Sequence, residues 1–455
     1  MKFVKNLKRE TVAQLLFLFG LFCFYTMWTV IQPLNASPDE GMRYQVVQYI
    51  YEHGTLPRGD EPSIINPVWG ISYAFNPILP YIIGAWFMKA VSLFSAEPFV
   101  LLTAARMVNV FCGVAAAYYV LAIGKKLFSL HKALLFTVLI TTLPGAVFLF
   151  SYVNTDAMAL MSSAMIIYAW ICGMQSRWDY KACTLLSIGI AFCALSYYNA
   201  YGFILCSIFL FGVTLLLDAK KKKEYKTFLT KGTFVCVLVL LLIGWWFGRN
   251  YMLYDGDFFA RSASSACAEQ HAQIGFKPSD RLTPQRDNMT LWEMLKLGYA
   301  GTNMSWIELT ARSFVGRFGF LDICMEKWTE DLYIAFVAVG VFGCFWKLPK
   351  LFSIIHKKKI VEMGMFHWCM LLALMIPNVL SIYYSYTSDY QPQGRYSMPM
   401  LIPLVYFMSV GYEIMLDKLI KNAKIQKAAY MFVSICFVLL SVYVYCTVFY
   451  PAYVG

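Results

Sequence analysis

Two adjacent carboxylates, Asp39 and Glu40, stand just after a long apolar run, in the order Ser37-Pro38-Asp39-Glu40. At a membrane edge such a pair could act as a general base or bind a cation. The same four residues also suit a helix start. Ser37 would be the N-cap, Pro38 the first helical residue and Glu40 the far side of a capping box, with Asp39 favoured by the helix dipole. This pattern predicts a helix over 38–53, ended by Gly54. A third acid, Asp156, follows Asn154 and Thr155 at the start of another apolar run. Asn154 suits a cap there, but a carboxylate so near a bilayer is costly unless it is used or paired.

The cations that could answer these acids lie far along the chain. Arg395 sits in the segment Asp389-Tyr390-Gln391-Pro392-Gln393-Gly394-Arg395-Tyr396, before a late apolar run. Its planar fork matches a phosphate bidentately, and Gln393 and Tyr396 flank it as further phosphate contacts. A lone arginine between tyrosines would read as a snorkelling interfacial residue. A second corner, Trp245-Trp246-Phe247-Gly248-Arg249-Asn250, favours a phosphate site between Arg249 and Arg395. Asn154 and Asn250 are then candidates for acceptor contact or support, and Arg312 and Arg317 for supplementary charge.

Such residues must be positioned by the elements around them, and these are membrane spans. Of 455 residues 59% are hydrophobic and 14% charged, where a soluble chain carries about 25% charged. Eleven apolar runs are long enough to span, at about 11–33, 99–123, 133–150, 157–175, 182–198, 200–217, 230–248, 331–346, 361–382, 398–416 and 428–449. With a cytoplasmic N-terminus, 24 of the 38 basic residues and 7 of the 26 acids fall on the inner side. The formal charge of +12 is therefore a topology signal, and it excludes a nucleic-acid footprint as the reading.

Residues 76–94 are apolar enough to span, yet a span there would turn every later lysine cluster outward. Pro77, Pro80, Gly84 and Lys89 mark the stretch instead as an interfacial or re-entrant element. The expected organisation is one membrane domain over 1–455. Its polar elaboration is concentrated outside, in a first loop at 34–98 and a large loop at 249–330.

Eleven of the thirteen cysteines lie in or beside apolar runs, where they act as small hydrophobes. Only Cys267 and Cys324 fall in the external loop, where they could pair in an oxidising compartment. The five histidines show no metal-ligand spacing, and no Gly-rich phosphate loop, CxxC pair or GxSxG elbow is present.

The segments SPDEGMRYQVVQYI, SYVNTDAMAL, WWFGRNYMLYDG, SFVGRFGF and YQPQGRYSMP, in that order, resemble the bacterial membrane family catalogued as domain of unknown function 2142. That family is similar to the GT-C superfamily of polyprenyl-phosphate-dependent glycosyltransferases. The resemblance implies an all-α, polytopic GT-C-like membrane fold with interfacial helices in the first outer loop. It further implies a base in that loop, here Asp39 or Glu40, and an acid in the second, here Asp156. The implied partners are a polyprenyl-phosphate-linked sugar donor and an envelope glycan, lipid or protein acceptor. The second outer loop holds a single acid, unlike the paired acids of metal-dependent oligosaccharyltransferases, so no divalent cofactor is assigned.

Such chemistry suits the residues. Arg395 and Arg249 would neutralise a leaving phosphate, and Asp39 would take the acceptor proton from the opposite face, with Glu40 and Asp156 orienting acceptor or base. A single displacement of this kind inverts the anomeric centre. The alternative is a transporter or flippase of lipid-linked saccharide, which would place ionisable residues mid-membrane on several helices. Arg106 is the only clear charge inside a run. A non-catalytic scaffold would leave the carboxylate and arginine set without a purpose.

Overall fold

The computed structural model describes residues 2–222, 225–299, 301–346, 351–352 and 358–454. Of the lysines that set the topology reading, Lys223, Lys347, Lys350 and Lys357 lie outside these. The chain runs through α1 (Lys2–Ile31), α2 (Glu40–His53), α3 (Leu79–Val91), α4 (Pro98–Leu127), α5 (Leu130–Thr141) and α6 (Pro144–Leu149). It continues through α7 (Asp156–Ser176), α8 (Tyr180–Ala194), α9 (Gly202–Lys222), α10 (Tyr225–Leu253), α11 (Arg261–His271) and α12 (Leu291–Lys296). The last helices are α13 (Trp306–Gly316), α14 (Lys327–Phe345), α15 (Lys358–Thr387), α16 (Leu401–Leu419), α17 (Ala423–Val444) and α18 (Tyr450–Val454). A short ribbon pairs Arg317–Phe318 antiparallel to Ile323–Cys324, with Arg317 opposite Cys324. The protein is an all-α polytopic membrane protein.

Nine helices among the described residues are long and apolar enough to cross a membrane, and they coincide with nine of the eleven runs. The other two are shorter, each for a physical reason. Run 133–150 contains Pro144, which disfavours helix at the residue before it, so α5 ends at Thr141 and α6 restarts with the proline in its first turn. Run 182–198 becomes the 15-residue α8, about 22 Å long against a hydrocarbon core of about 30 Å. Residues 76–94 hold the 13-residue α3, again too short to span. It packs on α2 and α4, burying Tyr81, Ala85 and Met88 with Val46, Val47 and Ile50.

Close packing without a hydrophobic drive between helices needs small residues at the crossings. Where α14 meets α16, a Cβ on Gly411 would overlap the Gly340 carbonyl oxygen, so the backbones touch. Near the start of α4, by contrast, the helices meet around charge. Trp28, Phe148, Phe318 and Phe449 close the apolar core beside this region, Trp28 stacking on Phe449 at 3.9 Å.

Cys267 and Cys324 do not pair; both are free thiols. Cys267 is buried on α11 among Phe75, Tyr254 and Ala260, whereas Cys324 is exposed on the ribbon. Held on separate substructures, they do not make the disulfide that their shared loop left open.

Candidate functional site

The turn after α1 is built by one glutamine. The Gln32 side-chain NH2 donates to the Trp28 carbonyl at 2.8 Å and the Ser151 hydroxyl at 2.7 Å, and its oxygen accepts from Ser37 at 2.7 Å. Ser37 is thus used sideways and does not cap α2, and the expected capping box does not form. Helix α2 begins at Glu40, with Asp39 in its N-cap position at φ 61°, ψ 7°, without a side-chain capping bond. Aspartate is one of the few residues that tolerates this left-handed conformation. It frees the Asp39 carboxylate to face elsewhere.

Glu40 turns inward. Its two oxygens accept from Nε and Nη2 of Arg106 at 2.7 Å each, and one also accepts from the Val153 backbone N–H at 3.0 Å. Arg106 donates its other hydrogens to the carbonyls of Thr29, Gln32 and Pro33. All five of its donors are used, and both partners are fully buried. Charged groups so deep survive only when paired and fully hydrogen-bonded. This pair ties α1, α2, α4 and the 150–155 turn together. Asn154 braces that turn, donating to the carbonyls of Leu149 and Tyr152 and accepting from Ala157 N–H.

Asp156 opens α7 and accepts from Arg43 at 3.2 Å, both nearly fully buried. Arg43 lies over the Tyr73 ring at 4.7 Å. This pair is incompletely satisfied: Oδ1 of Asp156, Nε of Arg43 and the nearby Tyr81 hydroxyl have no hydrogen-bond partner. The region is therefore polar and under-satisfied, unlike the closed Glu40–Arg106 clamp.

The third pair joins residues 356 positions apart. Arg395 donates to Asp39 Oδ2 at 2.6 Å and to the Tyr396 hydroxyl at 3.2 Å, and contacts the Pro38 carbonyl at 3.4 Å. Its side chain is 12% exposed and that of Asp39 28%, which makes this the most accessible of the three pairs. Burial alone pushes the Asp39 carboxyl up, but the guanidiniums of Arg395 and Arg43 together hold it below the ordinary carboxylate value. Gln393 donates to the Gln391 side-chain oxygen at 3.2 Å, the same oxygen that takes the Tyr396 hydroxyl at 2.6 Å.

Gly394 is required here, since a Cβ would overlap the Phe314 backbone nitrogen. This close approach brings α13 against Arg395 and forms a slot lined by Pro38, Tyr152, Ser313, Arg317, Gln393 and Arg395. Within it, Nε of Arg395 is buried without a partner. Arg317 is held by Glu330 at 3.0 Å, and Arg312 is occupied by Glu308, Glu330 and Asp331.

The structure thus gathers Asp39, Glu40, Asp156, Gln393, Arg395, Tyr396 and Asn154 at one end of the bundle. It does not bring Arg249 and Asn250 to them. Arg249 donates to the carbonyls of Leu56 and Pro57 and lies over Trp246, and Asn250 donates to the Phe258 carbonyl. The phosphate site between Arg249 and Arg395 is not formed, because Arg249 folds onto the 56–57 turn. Neither a role for Arg43 nor a link between Arg106 and Glu40 follows from the local sequence around them. An arginine inside an apolar run must find a carboxylate, and that signal could have located the pair. As for a metal, each carboxylate of the cluster is matched by its own guanidinium. Among the described residues no group of three His, Cys, Asp or Glu could hold an ion. The donor set does not fit a divalent cation.

A family model described as "Predicted membrane protein (DUF2142)" matches residues 65–405. No curated protein matches the sequence. Among solved structures, the chain is similar to the archaeal oligosaccharyltransferase AglB from Archaeoglobus fulgidus in complex with an inhibitory peptide and a dolichol-phosphate. The TM-score is 0.53 at 10% identity, over 94% of this chain and 54% of that one. The Archaeoglobus fulgidus oligosaccharyltransferase in complex with Zn and sulfate gives 0.53 at 14% identity, over 92% and 52%. ArnT from Cupriavidus metallidurans bound to undecaprenyl phosphate gives 0.37 at 12% identity, over 89% and 77%. The chain spans about half the length of the oligosaccharyltransferase it matches.

Proposed function

For this chain, which belongs to the DUF2142 family of membrane proteins and has a GT-C-like fold, we propose sugar transfer from a polyprenyl-phosphate-linked donor. The acceptor is a glycan, lipid or protein of the cell envelope. The observation that carries the reading is the Asp39–Arg395 pair, a carboxylate and a fork-shaped cation in contact at 2.6 Å and partly open. In the reaction, the acceptor oxygen forms its bond to the anomeric carbon while its proton passes to Asp39. The bond from that carbon to the phosphate oxygen breaks, and the lipid phosphate departs with the electron pair. Arg395 meets its charge, with Arg317 as the second cation of the slot. Attack and departure on opposite faces invert the sugar carbon.

Asp39 held below its ordinary value is a weak base. A donor phosphate that takes the unpartnered Nε of Arg395 while Nη2 stays on Asp39 offsets the guanidinium charge and restores the proton affinity of Asp39, so base strength rises when donor is bound. Asp156, with its unpartnered oxygen, is the acid we assign to orienting the acceptor.

We assign the site to the extracytoplasmic face, with the N-terminus cytoplasmic. Lys125 and Lys126 end α4, about 28 Å from Arg106 along the helix, as inner-side lysines should be. A carrier of lipid-linked saccharide would need its intramembrane charge free to change partners, whereas Arg106 is fixed by five hydrogen bonds.

The test is incubation of membranes carrying the protein with labelled polyprenyl-phosphate sugars, following lipid consumption and a new glycoside. Arg395→Lys keeps the charge and loses the fork, so donor KM should rise with turnover reduced, and Arg395→Ala should be worse. Unchanged kinetics in a folded Arg395→Ala protein would remove Arg395 from the donor site.

A further inference from the structure

Between Asp389 and Arg395 runs a line of hydrogen bonds whose direction is set at one end. Asp389 accepts from the Gln391 side-chain NH2 at 2.5 Å. An ionised carboxylate only accepts, so the nitrogen of the Gln391 amide must face it and the oxygen must face away. That oxygen takes the Tyr396 hydroxyl at 2.6 Å, and Gln393 Nε2 at 3.2 Å. Tyr396 has one hydroxyl hydrogen. Having donated it to Gln391, it presents a lone pair, which accepts from Arg395 Nη2 at 3.2 Å. The same Nη2 donates to Asp39 at 2.6 Å.

We propose that Asp389 is a positioning residue, acting through Gln391 and Tyr396 to hold the Arg395 guanidinium on Asp39. Reversing the Gln391 amide would turn its NH2 toward Tyr396. The hydroxyl would then accept from Gln391 and point its hydrogen at the guanidinium, repelling it. The segment is braced for this role, since the Ser385 hydroxyl donates to the Gln391 carbonyl and Trp306 donates to Ser385. The ionisable groups around the Asp389 carboxylate are Arg281, Asp39, Tyr384 and Tyr396, and none replaces Gln391 as its short-range partner. The proposal rests on the reading of Arg395 and Asp39 as the donor and base residues.

The test exchanges the two ends of the first bond. Asp389→Asn removes the acceptor-only group, and Gln391→Glu sets two carboxylates against each other. Together they restore the polarity, because the amide now at position 389 donates to a carboxylate at position 391 that still accepts from Tyr396. In the full-length protein in membranes, each single change should raise the donor KM about tenfold or more, the worth of a hydrogen bond to a charged group. The double exchange should return KM toward the parent value.

A second readout needs no donor. Phenylglyoxal labelling of Arg395, measured by mass spectrometry, should increase in each single variant and fall again in the exchange. In a Tyr396→Phe background Asp389→Asn should have no further effect on that labelling. Labelling unchanged in both single variants, or an Asp389→Asn effect that persists without the Tyr396 hydroxyl, overturns the relay. If labelling follows the pattern while no sugar transfer is found in the parent, the relay stands and the transferase reading falls.

Discussion

Asp39→Asn is expected to lower turnover by about 10²-fold or more, the usual contribution of a positioned base, with the protein still folded in the membrane. Asparagine keeps the volume and, like aspartate, tolerates the left-handed backbone at φ 61°. It can still accept a hydrogen bond from Arg395. The counter-charge of Arg395 is lost together with the proton acceptor, but this pair is partly open where Glu40 and Arg106 are fully buried, so thermal unfolding in detergent should fall only modestly.

The pH profile of the parent gives a second check. Arg395 and Arg43 hold Asp39 below its ordinary value despite burial. Asp39 then stays ionised at pH values where a free carboxylate is already protonated, and the acid limb of kcat/KM sits correspondingly low. If bound donor engages Arg395, the limb of kcat shifts to higher pH than that of kcat/KM, since these report the complex and the free enzyme respectively. Coincident limbs would show that donor does not engage Arg395. Full turnover in Asp39→Asn would end its assignment as base.

Arg106→Met is expected to remove most of the folded protein. Taking away one partner of a buried pair costs about 3–5 kcal/mol, and here three backbone carbonyls lose their donor as well. Glu40→Gln should be milder, because Arg106 keeps those three carbonyls. It should nevertheless lower the unfolding temperature, since a neutral amide leaves the guanidinium uncompensated. The order Arg106→Met worse than Glu40→Gln separates this view from a capping box, in which Glu40→Gln would be nearly silent. The measurement is thermal unfolding in detergent, read beside activity per folded molecule. A Glu40→Gln protein with parental stability but no turnover would return Glu40 to the chemistry.

Much of the fold was legible because the bilayer imposes simple rules on composition. Nine runs became helices long enough to span, and 76–94 became a short helix where Pro77, Pro80 and Lys89 had argued against a span. The split of 133–150 was legible in principle, since Pro144 stands inside it. The site was less legible because pairing is a long-range fact. Nothing local in Ser37-Pro38-Asp39-Glu40 says that one carboxylate faces Arg395 and its neighbour Arg106. The capping pattern was satisfied as a string and overruled by Gln32, which takes Ser37. Arg249 carried the right chemistry but lacked a route to the cluster, because the 56–57 turn captured it.

The Glu40–Arg106 clamp also bears on how the protein is made. Inserting an arginine at the centre of a helix costs about 2.5–3.5 kcal/mol, and Arg106 stands eight residues from the start of α4, about 12 Å in. Glu40 precedes it by 66 residues, so the counter-ion emerges from the ribosome first. The fourth helix thus enters a membrane where its neutralising partner is already waiting beside the first. The expected order of assembly therefore follows charge, with α4 settling fully once α1 and the turn after it are in place to neutralise Arg106.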